Sequence, residues 1–260
     1  MLKRVIATVM FAAAAVLLGI AVYYGAKYHK ADKEYDSIRE HVVKAESSTG
    51  DDEDTRMVVD WDDLIAQNPD YVGWIEMATG TSYPIVRAKD NDYYLHRGFN
   101  REYSINGSIF MSCYCDKNFN SKNTVIYGHN MLNGSMFGTN KKYRDYDYAE
   151  ENPYFYIHVK GGYYVYEVYT YILTDDVTAP YNTDVYTEEY MAKYLKEVKP
   201  LGQYWVNSAA PTEKDKIVTL STCIGQAGGI HRQIIQGKYA GFIKYKDAGG
   251  KNGEKSGTDA

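Results

Sequence analysis

The chain opens on an uncharged apolar stretch that differs from everything after it. No charged residue occurs over residues 5–26, and the run VIATVMFAAAAVLLGIAVYY fills residues 5–24. At a rise of about 1.5 Å per residue, such a helix spans about 30 Å, the thickness of a bilayer's hydrocarbon core. The pattern predicts a short cytoplasmic start and a transmembrane anchor over residues 1–26. The alternative is a cleaved signal peptide, whose apolar region is usually about 7–15 residues long.

Basic residues flank this run on both sides. Lys3 and Arg4 precede it, and Lys27, Lys30 and Lys33 follow it. The positive-inside rule therefore leaves the orientation of the anchor open.

Three further segments follow the anchor. Residues 27–56 are charged and then acidic (ESSTGDDEDTR over 46–56), which predicts a partly helical stalk and a linker. Residues 57–246 carry the remaining apolar periodicity and are predicted to be the folded domain. Residues 247–260 are rich in Gly and Lys and are predicted to be a disordered tail.

The folded domain alternates short apolar runs with turn signals, a pattern typical of strands. The predicted strands cover residues 71–77, 83–88, 107–111, 124–127, 154–159, 163–173, 217–222 and 233–245. Helical segments are predicted over residues 60–67, 90–96 and 187–198, and at the end of the loop over 128–137. Several short strands between turns favour a closed barrel over a parallel sheet. The predicted class is mainly β with peripheral helices (α+β).

Composition narrows the functional classes. The net charge of −5 gives no electrostatic case for a nucleic-acid partner. The 28 tyrosines suit a β-rich exported domain. Three cysteines are too few for a disulfide scaffold, and the odd one in an exported protein can be a free, reactive thiol.

Three residues could form a thiol-based active site. Cys223 ends the predicted strand IVTLSTC and precedes a Gly-rich loop, although a free Cys is often a buried, inert residue. His129 follows Gly128 at the end of the strand TVIY, which places it at a rim. Arg232 opens the next strand, nine residues after Cys223. If the strands of Cys223 and Arg232 are adjacent, the guanidinium can support an oxyanion near the thiol.

These motifs resemble a known family. TLSTC followed by Arg232, with YGHN upstream, resembles the sortase signature. GSIFM over residues 107–111 and NTVIYGHNMLNGSMFG over residues 123–138 are closest to class B sortases. The insertion over residues 175–212, which carries a predicted helix, resembles the class B feature between the sixth and seventh strands. The likeness spans residues 61–245.

The resemblance implies an eight-stranded sortase-like β-barrel behind an N-terminal transmembrane helix, with the catalytic domain on the extracytoplasmic side of the cell membrane. It implies a cysteine transpeptidase that needs neither metal nor organic cofactor. Its substrates would be surface proteins with a sorting signal, expected to be an Asn-Pro-type pentapeptide, and a lipid II-like peptidoglycan-precursor amine. The family's catalytic residues correspond to His129, Cys223 and Arg232. Position relative to the motifs suggests Asn91, Leu95, Tyr127 and Ser221 as the substrate groove.

Two features depart from the class B pattern. Cys113 and Cys115 follow GSIFM, and two residues apart on a strand they would point to the same face. The residue after Cys223 is Ile224, and the loop IGQAGGIH has no acidic residue.

Other functions stay open at this level. A class B-like enzyme can also join pilins through a lysine amine. A metal or redox module could use ligands from a set of five, although C-x-C is a poor zinc spacing. That set is Cys113, Cys115, Cys223, His129 and His231. The third alternative is a non-catalytic binding domain on a membrane stalk.

Overall fold

A computed structural model describes residues 2–40, 42–44, 57–175, 178–223 and 231–245 of the 260-residue chain. The predicted linker over 46–56 and the predicted tail over 247–260 lie outside these residues.

The N-terminal apolar run is part of one long helix, α1 (Leu2–Arg39). Among the described residues, α1 is the one helix whose length and composition would allow it to cross a membrane. The predicted boundary between anchor and stalk, after residue 26, falls inside this helix without a break. Its C-terminal turns bury Ala31, Tyr35 and Ile38 against the rest of the chain.

Ten strands are present in the described residues. They are β1 (Val42–Lys44), β2 (Met57–Val59), β3 (Tyr71–Met77), β4 (Ser82–Val86), β5 (Ile109–Met111), β6 (Asn123–Tyr127), β7 (Tyr154–Val159), β8 (Gly162–Thr174), β9 (Ile217–Cys223) and β10 (Arg232–Lys244). β1 and β2 form a two-stranded antiparallel sheet. The other eight close into a barrel in the order β10-β8-β7-β3-β4-β5-β6-β9, which confirms the predicted eight-stranded barrel.

Most neighbouring strands of the barrel are antiparallel, but β4 pairs with β5 and β6 pairs with β9 in parallel. The core of the domain is made of apolar side chains, among which Trp74, Ile75 and Ile126 are fully buried. The hairpin of β7 and β8 turns at Gly161, whose φ of +85° is a conformation that favours glycine.

The helices of the domain are short and peripheral. They are α2 (Trp61–Gln67), α3 (Tyr146–Glu151) and α4 (Glu188–Val198), with 3-10 turns at Tyr93–His96, Asn140–Arg144, Ala179–Tyr181, Lys199–Leu201 and Asn207–Ala209. Asp60 caps the N-terminus of α2, because its side chain accepts a hydrogen bond from the backbone N–H of Asp63 at 3.1 Å. Thr187 caps α4 in the same way, by accepting from the N–H of Tyr190 at 3.3 Å.

Two local predictions are wrong. The end of the loop over residues 128–137 is not helical, and the next helical segment, a 3-10 turn, begins only at Asn140. Gly134 and Met136 both have positive φ, and Phe137 donates a backbone hydrogen bond to the His129 carbonyl at 3.0 Å. Nor are Cys113 and Cys115 on a strand, because β5 ends at Met111 and both cysteines lie in the turn that follows.

Candidate active site

Three strand ends meet at one rim of the barrel. β6 and β9 run parallel, with Tyr127 paired to Ser221, so both strands end at the same edge. The N–H of Gly128 continues this pairing by donating to the carbonyl of Ser221 at 3.1 Å. β10 runs antiparallel to β9 and begins at this edge. The rim therefore carries the residues that follow β6, end β9 and open β10.

His129 lies at this rim, half-buried. Its Nε2 is 2.7 Å from the Leu95 carbonyl oxygen. Because a carbonyl oxygen can only accept, Nε2 carries the proton, and Nδ1 is the basic atom of the neutral ring. Burial lowers the pKa of the His129 imidazole, the Leu95 carbonyl opposes this shift, and the neighbouring His96 adds to it. The rings of His96 and His129 are stacked, with centroids 6.0 Å apart.

The strands of Cys223 and Arg232 are adjacent, which meets the condition that the sequence analysis set for a guanidinium near the thiol. In the register of β9 and β10, Cys223 is paired directly with Arg232. The thiol of Cys223 lies outside the described part of the chain. Arg232 is half-buried, and its Nη1 donates to the carbonyl of His231 at 3.1 Å.

A cavity of about 300 Å³ opens at the rim. It brings together His129, Arg232 and all four residues proposed from sequence for the substrate groove. The full lining is Asn91, Leu95, Phe110, Tyr127, Gly128, His129, Ser221, Thr222 and Arg232. It can hold a short extended peptide segment with the imidazole and the guanidinium at its edge.

Known proteins share this architecture and sequence. The sortase-domain family model matches residues 78–240. Sortase B of Listeria monocytogenes is 39% identical over 180 residues, which cover 68% of this chain and 72% of that protein. The chain belongs to the sortase family.

Solved structures place this sortase near class B. A sortase B of Bacillus anthracis superposes with a TM-score of 0.68 at 30% identity, covering 85% of this chain and 99% of that one. A Staphylococcus aureus sortase B–substrate complex gives a TM-score of 0.63 at 29% identity, covering 72% of this chain and 85% of that one. This sortase is therefore a cysteine transpeptidase that cleaves the sorting motifs of surface proteins and uses amine nucleophiles. The family assignment does not favour the pilin-joining and non-catalytic alternatives.

The insertion over residues 175–212 reaches back to the cavity of this sortase. Tyr181 stacks on Tyr127, with ring centroids 5.9 Å apart and planes 9° apart. The Tyr181 hydroxyl is 2.6 Å from Oγ of buried Ser221. Burial raises the pKa of Tyr127, so its hydroxyl stays protonated and uncharged. Two groove residues are thus held in place by the insertion.

Asn91 has a second role beside the cavity. Its Oδ1 accepts from the N–H of Cys113 at 2.8 Å, and its Nδ2 is 3.4 Å from Oγ of Ser112. Asn91 therefore ties the cavity wall to the turn that carries Cys113 and Cys115.

Of the two additional cysteines, Cys115 is structural in character. Cys115 is buried, and its Sγ accepts from the N–H of Val125 at 3.3 Å and is 3.5 Å from the carbonyl oxygen of Asn123. Burial raises the pKa of the Cys115 thiol. Within the described ranges, no group of three or more His, Cys, Asp or Glu could hold a metal ion.

Sequence reasoning missed three residues of the site. Phe110 packs on Tyr127 at 5.2 Å, and their pairing across β5 and β6 could have been read from the motif GSIFM. Thr222 lines the cavity and directly precedes Cys223. Tyr181 is 40 residues from its partner Ser221, and no local signal in the sequence marks it.

Proposed function

We propose that Cys223 is the nucleophile of this sortase, with His129 as its acid and base and Arg232 as its oxyanion support. The observation that carries the proposal is the pairing of Cys223 with Arg232 beside the cavity that His129 also lines. Directly opposed residues of an antiparallel pair have Cβ atoms about 5 Å apart. A thiol at position 223 would therefore be within reach of a guanidinium that stays charged at every physiological pH.

In the first half-reaction, the Cys223 thiolate attacks the carbonyl carbon of the scissile peptide bond. Arg232 donates hydrogen bonds to the oxyanion that forms. The C–N bond then breaks, and imidazolium His129 gives its proton to the leaving amine. The products are a thioester on Cys223 and a released C-terminal peptide.

In the second half-reaction, an amine attacks the thioester carbonyl. Neutral His129 accepts the proton of the incoming amine, and the C–S bond breaks to return the thiolate. A new amide bond replaces the one that was cleaved, so the reaction needs no external energy source. The proposed acceptor is a lipid II-like peptidoglycan-precursor amine.

The protonation states limit the reactive fraction of the free enzyme. An unperturbed Cys is only about 3% thiolate at pH 7. The buried position of His129 lowers the pKa of its imidazole, so the imidazolium form is also scarce at that pH. The two groups would titrate as a coupled pair, and Arg232 favours the thiolate state.

Asn91, Leu95, Tyr127 and Ser221 are proposed to contact the sorting peptide, for which an Asn-Pro-type signal is expected. Their common position in the 300 Å³ cavity supports this role. The amide of Asn91 can pair with a polar peptide group, and the ring of Tyr127 offers an apolar wall.

The remaining segments are proposed to deliver this domain to the outer face of the membrane. Residues 1–26 would be the cytoplasmic start and single-pass anchor, 27–56 the stalk and linker, 57–246 the catalytic domain and 247–260 the tail. The apolar length of α1 supports the anchor.

Cleavage of a fluorogenic sorting peptide tests the catalytic assignment. Cys223→Ala and His129→Ala should abolish cleavage, and Arg232→Lys should lower kcat by about 10²–10³-fold because the planar fork of donors is lost. Cys113→Ala is the matched control, because Cys113 is a half-buried free cysteine outside the cavity lining, and it should keep full activity. Full activity in Cys223→Ala would overturn the assignment. Supplying a peptidoglycan-mimic amine and a pilin lysine peptide side by side tests the acceptor.

A further inference from the structure

The barrel contacts α1 very close to the apolar run. The run ends at Tyr24, and Lys27 is three residues further, which is about 4.5 Å along the helix axis. The ammonium of Lys27 lies 4.8 Å from the ring centroid of Tyr23 and 4.9 Å from that of Tyr103, in the loop that precedes β5. Tyr103 is therefore level with the last turn of the apolar run or the turn after it.

The loop that carries Tyr103 follows α1 over several turns. Glu102 pairs with Lys30 at 3.6 Å, and the N–H of Asn100 donates to Oε1 of Glu34 at 3.0 Å. Between Lys30 and Glu34 on α1, Oδ1 of Asp32 accepts a hydrogen bond from Asn106 at 3.0 Å. These contacts fix the height of the loop relative to the helix, so the loop cannot move away from the apolar run without breaking them.

The exposed chemistry of this loop suits a lipid headgroup layer. Tyr103 is 62% exposed although its ring is large and mostly apolar. Arg97 pairs with Tyr103 through the backbone, and its exposed guanidinium lies over the Tyr93 ring at 4.8 Å. Tyrosine and arginine are side chains that place an apolar body near the acyl chains and a polar tip among the headgroups.

We propose that this loop reaches the headgroup layer of the membrane at one end only, with Tyr103 as its contact residue. The inference rests on the proposed anchor. If residues 5–24 fill the hydrocarbon core, the headgroup region extends about 5–7 Å beyond them, and Tyr103 falls within it. The partner is a phospholipid surface and not a protein.

This contact would set the height of the active site above the bilayer. His96 precedes Arg97, and its ring stacks on that of His129 at 6.0 Å. A surface cleft of about 360 Å³ is lined by both Tyr103 and His96. A membrane-bound substrate could therefore reach His129 along the surface of the protein.

Photo-crosslinking in vesicles tests the proposal. The full chain is reconstituted in phosphatidylcholine–phosphatidylglycerol vesicles with p-benzoylphenylalanine in place of Tyr103, and lipid adducts are measured by mass spectrometry after irradiation. The matched control is the same probe at Tyr186, which is 75% exposed and lies in the insertion. The probe at Val16, in the middle of the apolar run, reports separately on the anchor. An unchanged thermal midpoint shows that each variant is folded.

Lipid adducts at position 103 should clearly exceed those at position 186, because an aromatic residue in the headgroup layer lies next to lipid. Adducts at Val16 with equal, background yields at 103 and 186 would overturn the loop contact and leave the anchor intact. No adduct at Val16 would overturn the anchor, and the loop contact with it.

Discussion

Gly128 is a point where one methyl group should disturb the catalytic rim. A Cβ added at Gly128 would lie 2.7 Å from Cδ2 and 3.0 Å from Cγ of Phe137. Phe137 is fully buried in the core and has no free space to retreat into. Ordinary contact begins at about 3.4 Å, so Gly128→Ala requires a displacement of about 0.7 Å at a residue that directly precedes His129.

Gly128→Ala should lower both the free energy of unfolding and the catalytic rate. Overpacking a buried site typically costs about 1–3 kcal/mol. The backbone on both sides of His129 is held, because Gly128 donates to the carbonyl of Ser221 and Phe137 donates to that of His129. Because Phe137 is hydrogen-bonded to the His129 carbonyl and Gly128 is its chain neighbour, a shift of either residue is passed on to His129, and a misplacement of about 1 Å at a group with the proposed catalytic role can cost about 10²-fold in rate.

Urea unfolding measures the loss of stability, and peptide cleavage measures the loss of catalytic efficiency. The matched control is Gly241→Ala in β10, because a Cβ there meets no atom within 4 Å. We expect Gly241→Ala to keep wild-type stability and kcat/KM, whereas Gly128→Ala loses about 1–3 kcal/mol and about 10-fold to 100-fold in kcat/KM. Wild-type values of both quantities in Gly128→Ala would refute the reasoning.

Three further predictions concern hydrogen bonds and protonation. Tyr181→Phe keeps its ring but removes the 2.6 Å hydrogen bond to buried Ser221, which should cost about 1–3 kcal/mol in urea unfolding and raise KM for the sorting peptide more than it changes kcat. Tyr35→Phe removes the 2.6 Å hydrogen bond from α1 to the carbonyl of Gly107 and should lower the free energy of unfolding by a similar amount, and an unchanged value would contradict the docking of α1. Burial lowers the pKa of His129 below its unfolded value of about 6.5, so this residue contributes stability that is present above about pH 6.5 and lost as pH falls through the folded pKa. The stability difference between wild type and His129→Gln should change over that window, and a constant difference would show that burial does not perturb the imidazole.

Local patterns in the sequence predicted much of the fold. β3 has the predicted bounds, residues 71–77, because a short, mostly apolar run between turn signals is typical of a buried strand. The hairpin at Gly161 follows from a Gly-Gly pair between two tyrosine-rich runs. The barrel and its strand count were expected from pattern and resemblance together.

Features that depend on contacts between distant parts of the chain could not be predicted from the sequence. The loop after Gly128 resembles the start of a helix, but tertiary contacts and positive φ at Met136 hold it as an irregular turn. The continuation of α1 to Arg39 depends on the packing of Tyr35 into the barrel, which no helical period reveals. Tyr181 enters the site only because the insertion folds back across 40 residues.

The most direct test of the proposed chemistry is to trap the intermediate. Wild-type enzyme is incubated with a sorting peptide without an amine acceptor, quenched in acid, and analysed by intact-mass and peptide-level mass spectrometry. The mechanism predicts one acyl group, attached as a thioester to Cys223 and released when an amine is added. An acyl group on Cys113, or efficient peptide cleavage with no acyl-enzyme under single-turnover conditions, would contradict Cys223 as the nucleophile.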